Sequence, residues 1–297
     1  MLNFIPVTIE NRDAIHAFLQ KSPYRNCDFS FANIFCWKHK YNTHFCIEHG
    51  FLFFRFHASK DISGYMMPLG DGDLRMALDL LLEDARERDE YFRLFAITPE
   101  MFERIEACYP GRFLYEADRS WSEYIYNSQA LITLKGKKLQ SKRNHINKFK
   151  RTYTYEYLPI TKEIIPDCLK LYCRWCKENG GCEEDKSLVE ERQTTDTAFT
   201  YFEQLELRGG ALRVDGEIIA YSYGQAIGPD TFGVHAEKSL YEIDGGFSMI
   251  NQQFAEHECS QYAYINREED LGLDSLRQAK LSYQPAIIMP KGSVQLK

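Results

Sequence analysis

Apolar positions along this chain switch period repeatedly, and each switch predicts a change of element. In the first half, short apolar runs predict strands at Phe4–Ile9, Tyr65–Leu69, Tyr91–Ile97, Phe113–Ala117 and Trp121–Tyr126. Two more, Phe45–Ile47 and Phe51–Phe56, flank the turn His49-Gly50 and predict a hairpin. Helical spacing appears after Asn11 (Ala14, Ile15, Phe18, Leu19) and through Phe31, Ile34 and Phe35 to Trp37. It returns after Asp73, with Leu74, Ala77, Leu78, Leu81, Leu82 and Ala85 on one face. Thr98-Pro99 opens a further helix, with proline at its tolerated first position.

The second half repeats that order. Tyr153–Pro159 predicts a strand, and Ile165-Pro166 opens a helix with Leu169, Tyr172, Cys173 and Cys176 aligned. Ser187-Leu-Val-Glu190 reads as a capping box ahead of a helix holding Phe199, Phe202 and Leu205. Asp215-Gly216 between apolar runs predicts a hairpin of Ala211–Val214 with Ile218–Gln225. Thr231–His235 reads as a strand, Gly245-Gly246 precedes a helix, and Tyr262–Ile265 is a strand. Leu273–Tyr283 reads as a helix and Pro285–Met289 as a last strand. The expected fold class is α/β, with mixed sheets covered by helices. The element order resembles two tandem GNAT-like acyltransferase domains, placed at residues 1–134 and 135–297.

Composition narrows the function. A chain of 297 residues, 44% hydrophobic and 14% aromatic, is long enough for two real cores. No apolar run approaches the ~18 residues of a membrane span. The start, Met1-Leu-Asn-Phe-Ile-Pro6, lacks the basic and apolar regions of a signal peptide. Nine cysteines do not read as a disulfide framework, so free thiols in a reducing cytoplasm are expected. Cys168, Cys173, Cys176 and Cys182 lack the paired spacing of a zinc site, and no metal is expected.

Charge is uneven. The net balance is −7, yet Lys135 to Arg151 holds eight lysines and arginines with no acid among them. As a helix this segment would bury Leu139, Ile146, Phe149 and Tyr153, which suits an ordinary solvated face. The uncompensated repulsion argues for polyanion contact instead. Lys138, Lys142, Arg143, His145 and Lys148 are then the donor- or phosphate-binding candidates. Asn266-Arg267-Glu268-Glu269-Asp270 follows a strand and precedes a helix, where α/β folds place ligands. Glu268, Glu269 and Asp270 suit holding or deprotonating an amine. Acids decorating a helix N-terminus are the alternative. His235 and Glu237 end a strand, with His235 a candidate base. Tyr221, Tyr223, Asn266, Arg267 and Glu237 are substrate-binding candidates; the two tyrosines equally suit packing.

Lys142-Arg-Asn-His-Ile-Asn-Lys-Phe149, together with the segment from Asn266 to Tyr283, resembles an uncharacterised bacterial family. That family is related to the C-terminal domain of phosphatidylglycerol lysyltransferase and similar to Fem-type aminoacyltransferases. The resemblance spans essentially the whole chain. It implies an acyltransferase that moves an aminoacyl group from charged tRNA to an amine or hydroxyl acceptor, a small molecule, a lipid headgroup or a cell-envelope precursor. The lysyltransferase carries membrane spans ahead of this domain and none appears here, so cytoplasmic location or docking at the inner membrane face is expected. Acetyl-CoA-dependent GNAT enzymes cradle pyrophosphate with a glycine-rich loop at a helix N-terminus. Here the loops Met67–Asp73 and Ser239–Gly246 carry Asp71, Asp73, Glu242 and Asp244, which oppose a pyrophosphate. The expectation is therefore an aminoacyl-tRNA donor bound through helix 135–151, with no tightly bound cofactor. An acyl-CoA-dependent N-acyltransferase is the alternative, and a non-catalytic pair binding RNA or anionic lipid the second.

Overall fold

The computed structural model describes residues 1–181 and 185–297. Two compact units divide the chain. The first comprises residues 1–123, 269–274 and 288–297; the second comprises 124–268 and 275–287.

The first unit opens with β1 (Ile5–Pro6), α1 (Arg12–Leu19), α2 (Phe31–Cys36) and α3 (Lys38–Tyr41). The hairpin β2 (His44–Glu48) and β3 (Phe51–Ser59) follows, then β4 (Ile62–Tyr65) and β5 (Leu69–Gly70). Next come α4 (Leu74–Glu87), β6 (Arg93–Ile97), α5 (Pro99–Cys108) and β7 (Phe113–Asn127), which passes into the second unit. Asp73 caps α4, its carboxylate accepting from Arg75 N at 2.9 Å, and the predicted stripe Ala77, Leu78, Leu81 and Ala85 is buried. Phe51 to Phe54 are all buried, so β3 is covered on both faces and forms the centre of this core. Strands pair in the order β1-β2-β3-β4-β6-β13, where β13 is Ile287–Leu296 from the chain's end.

The second unit contains α6 (Ser128–Thr133), α7 (Gln140–Thr152), β8 (Tyr155–Pro159), α8 (Ile165–Glu178) and α9 (Lys186–Thr200). It continues with β9 (Arg208–Val214), β10 (Glu217–Ile227), β11 (Thr231–Ser239), α10 (Gly246–Glu258), β12 (Tyr264–Glu269) and α11 (Asp274–Leu281). Its strands run β12-β11-β10-β9-β8, with β11 and β12 parallel and the other pairs antiparallel. Asp215 and Gly216 both adopt positive φ, as the two-residue turn between β9 and β10 requires. Phe232, Ile265, Met249, Phe254, Leu171 and Phe199 form the core against which α8, α9 and α10 pack.

Three local expectations change. The division falls at 123/124, not 134/135, and residues 288–297 return to the first unit. The reason is pairing: Gly292 meets Ile97 and Val294 meets Leu94 across β13 and β6. Asp185, not Ser187, caps α9, its carboxylate accepting from Ser187 N at 2.8 Å. Cys176 is disulfide-bonded, so the free-thiol expectation fails there; Cys182 lies outside the described residues. Cys168 and Cys259 are buried as small hydrophobes, and burial pushes the Cys168 thiol up to about 12.

Candidate active site

In the second unit, β11 and β12 pair only from Thr231/Tyr264 to Gly233/Asn266. Both strands continue past that point without pairing to each other, so they splay. A bulge sharpens the divergence: on β10, Tyr223 faces Ala236 while Gly224 faces Val234, leaving His235 as the extra residue. The residues that follow on each strand point charged side chains at one another across the splay. His235 Nδ1 lies 2.8 Å from Glu268 Oε1, and the imidazole is almost fully buried. Glu268 adopts φ +57, a strained value for a glutamate, and its backbone N–H donates to Asn266 Oδ1 at 2.8 Å. Asn266 is fully buried and braces that turn.

The next pair lies deeper along the strands. Arg267 Nη2 donates to Glu237 Oε1 at 2.8 Å, and Asn251 Nδ2, from α10, donates to Glu237 Oε2 at 3.0 Å. That bond fixes the Asn251 amide, because its NH₂ must face the carboxylate. Two buried atoms then lack partners, Arg267 Nη1 and Asn251 Oδ1. The guanidinium lies 4.9 Å from the Tyr283 ring centroid and 5.7 Å from that of Tyr126. Lys142, from α7, places its ammonium 4.1 Å from the Tyr283 ring centroid. Burial and the nearby Arg267 cation push the Lys142 pKa below the usual lysine value, against an opposing pull from Glu237.

The rest of α7 divides between bracing and exposure. Leu139, Ile146 and Phe149 are buried, as the apolar stripe predicts. Arg143 donates to the carbonyls of Leu134 and Gly136, closing the end of α6. Lys148 pairs with Asp244, and His145 Nδ1 lies 3.7 Å from the same carboxylate. Glu242 pairs with Arg174. Gly245 adopts φ +83 and presses so close to α7 that a Cβ there would come 2.7 Å from the His145 carbonyl oxygen. The loop entering α10 is thus covered by the α7 backbone and lined with acids. Lys135, Lys137, Lys138, Lys150 and Arg151 are exposed.

Tyr221 and Tyr223 are buried on β10, and their rings pack on Phe199 at 5.6 and 5.3 Å.

The three consecutive acids are not brought together. Glu268 faces His235 in the second unit. Glu269 and Asp270 belong to the first. Asp270 accepts from Gly272 N at 2.9 Å and pairs with Arg119 at 3.3 Å. Glu269 joins a buried cluster in which Lys291 Nζ reaches Asp28 Oδ2 at 2.5 Å, Glu123 Oε1 at 2.6 Å and Glu269 Oε1 at 2.5 Å. Cys27 Sγ lies 3.1 Å from Glu123 Oε1. Burial, then the neighbouring Glu269 and Asp28, pushes the Glu123 carboxyl up to about 7 against the pull of Lys291. The donor set of Cys27, Asp28, Glu123 and Glu269 is close enough for a cation. The ammonium of Lys291 already fills that role.

Sequence reasoning missed Asn251, Tyr126, Glu123, Asp28 and Lys291. Lys291 carried no local signal, because the predicted last strand, Pro285–Met289, stops short of it, whereas β13 runs Ile287–Leu296.

Two mixed α/β units, a parallel pair of strands splayed behind a bulge, and a helix starting beside the splay define a GNAT-like acyltransferase fold. A tandem GNAT protein from the clavulanic acid biosynthesis pathway aligns over 100% of this chain and 98% of its own at TM-score 0.50 and 8% identity. The sequence pattern of the family described as phosphatidylglycerol lysyltransferase, C-terminal, matches residues 19–291, and the chain belongs to that family. A conserved protein of unknown function from Bacteroides thetaiotaomicron is 46% identical, with all of both chains covered and TM-score 0.96. The C-terminal domain of a putative lysylphosphatidylglycerol synthetase from Agrobacterium fabrum shares the fold at 13% identity and TM-score 0.69, covering 96% of this chain and 91% of its own. FemX does so at 9% identity and TM-score 0.62, covering 98% and 97%. Among the described residues no helix is long and apolar enough to cross a membrane.

Proposed function

We propose that this chain is an aminoacyltransferase that takes its acyl group from charged tRNA and passes it to an amine or hydroxyl acceptor. The loop entering α10 carries the argument. In an acyl-CoA enzyme that helix N-terminus receives the pyrophosphate. Here Asp244 stands in the loop, paired with Lys148 and facing His145, and Gly245 lies against the α7 backbone. A pyrophosphate would meet carboxylate charge and would have to displace α7. A charged tRNA needs no such cradle, because it carries no pyrophosphate. Its backbone suits the exposed lysines of the 135–151 segment, each contact releasing counterions.

The chemistry falls to the splay. The acceptor's nitrogen or oxygen attacks the ester carbonyl, and the bond to the terminal ribose oxygen breaks. His235 takes the attacking group's proton and returns a proton to the departing ribose oxygen. Glu268 holds the imidazole in position through Nδ1. Backbone amides freed by the bulge near Val234–Ala236 face the developing oxyanion.

The test is a salt titration of binding to labelled bulk tRNA with CoA as competitor. Salt-sensitive binding that CoA leaves untouched supports the reading. No binding at low salt, or displacement by micromolar CoA, overturns it in favour of an acyl-CoA donor.

A further inference from the structure

The atoms left without partners in the splay specify a ligand. Glu237 spends both carboxylate oxygens, one on Arg267 Nη2 and one on Asn251 Nδ2. Arg267 Nη1 is a cationic donor and Asn251 Oδ1 a neutral acceptor, both buried and both unpartnered. A buried polar atom without a partner is costly, and here two of opposite character flank one carboxylate, so a bound molecule that supplies both partners would be favoured. That molecule must bring an acceptor to the guanidinium and a donor to the carboxamide.

Charge sharpens the requirement. Around the Tyr283 ring stand two cations, Arg267 and Lys142, against one carboxylate, Glu237. The other carboxylate reaching the splay, Glu268, faces His235. Glu237 and Glu268, the carboxylates described here, already face Arg267 and His235, whereas a ligand carboxylate gains from both cations. A group carrying a side-chain carboxylate and an α-ammonium fits: the carboxylate to Arg267 Nη1, the ammonium N–H to Asn251 Oδ1. A lysyl group offers two ammoniums and no anionic acceptor.

We propose that Arg267, Lys142 and Asn251 form the selector for the transferred residue, and that it admits an acidic aminoacyl group, aspartyl or glutamyl, and rejects a lysyl one. This rests on reading the splay as an aminoacyl site, and it separates this chain from relatives named for lysyl transfer. The selector works by charge: Arg267 forms the direct contact, and Lys142 sets the local sign from its half-exposed position on α7.

The probes are L-aspartic acid α-amide, L-glutamic acid α-amide, L-alaninamide and L-lysinamide, which carry the aminoacyl part without tRNA. Calorimetry on the intact chain is expected to rank the two acidic amides at least tenfold tighter than lysinamide, with alaninamide between. Lys142→Glu reverses the local sign and is expected to bring lysinamide level with or ahead of the acidic amides. Lys142→Met, which keeps the apolar stem, is expected to narrow the gap several-fold and guards against misfolding of the charge reversal. Lysinamide binding tightest to the unaltered chain overturns the proposal, as does binding of none of the four. The tRNA titration keeps the two readings apart. Bound tRNA with undiscriminated amides removes the selector alone, whereas discriminated amides without tRNA binding remove the tRNA donor and leave the selector standing.

Discussion

Two buried charge clusters draw on β12, one through Arg267 and the other through Glu269, and are built to opposite rules. In the first unit three carboxylates, Asp28, Glu123 and Glu269, surround one ammonium, and all three reach it within 2.6 Å. In the second unit Arg267 pairs with Glu237, Lys142 stands over the Tyr283 ring that Arg267 also reaches, and a guanidinium nitrogen and a carboxamide oxygen are left over. The first arrangement is closed: its cation comes from the chain. The second is open: it leaves two hydrogen-bonding atoms that the proposed aminoacyl group would pair. A buried ion cluster is thus no pointer to a site by itself, because its own chain can close it.

The closed cluster is most sharply tested by removing its cation. Lys291→Met leaves three carboxylates buried with no counter-charge, and a broken buried pair costs about 3–5 kcal/mol. Chemical denaturation should read a loss of that size. Adding Glu123→Gln should restore part of it, because one charge no longer needs a partner. A loss under about 1 kcal/mol would show that water reaches the cluster and that it is not closed.

The His235–Glu268 pair beside the open cluster should answer in activity instead. His235→Gln keeps a polar side chain of similar reach but cannot take a proton. Transfer should fall by about 10²-fold or more, with stability changed far less than in Lys291→Met. Equal loss of activity in Glu269→Gln would break the assignment of the two neighbouring glutamates to different jobs.

A smaller effect separates the clusters by pH. Glu123 has a folded pKa raised from 4.5 to about 7. Between those values the folded chain holds a proton the unfolded chain has released, so stability falls as pH rises through that window and levels off above it. The full span is on the order of 3 kcal/mol at one pKa unit per 1.36 kcal/mol. Lys291 stays charged throughout, its pKa being held well above the usual lysine value by the surrounding carboxylates. Glu123→Gln should flatten the slope of denaturation midpoint against pH. An unchanged slope would place the titrating group elsewhere.

Local pattern predicted most of the elements and little of the site. Helix α4 was legible because its stripe and cap are contained in one stretch of sequence. The β9–β10 hairpin was legible because Asp215-Gly216 carries its own turn geometry. The fate of residues 288–297 was not, because a strand's partner is a long-range choice that hydrophobic period does not encode. Glu268, Glu269 and Asp270 read as one carboxylate group because they are adjacent. The left-handed backbone at Glu268, φ +57, and the end of β12 turn successive side chains to separate partners. His235 was singled out as a strand-end histidine. Its partner, 33 residues away, and the bulge that presents it emerge only once β10, β11 and β12 are in register.

The smallest expected effect concerns the surface of α7 and its approach. Arg143 closes α6 and Lys148 pairs with Asp244, so their replacement would mix structural loss with any loss of binding. Lys137, Lys138 and Lys150 are exposed, and among the described residues none pairs with an acid. Replacing one of them with alanine should leave stability within about 0.5 kcal/mol, as for surface sites generally. Each should weaken tRNA binding modestly and lower the slope of log affinity against log salt by roughly 0.7–0.9, the share of one phosphate contact. Binding of the small aminoacyl amides should not change, because those ligands carry no phosphate. A lysine whose loss shifts amide binding as strongly as tRNA binding would move the selector outward from Arg267 and erase the division between the charged rim and the open cluster beneath it.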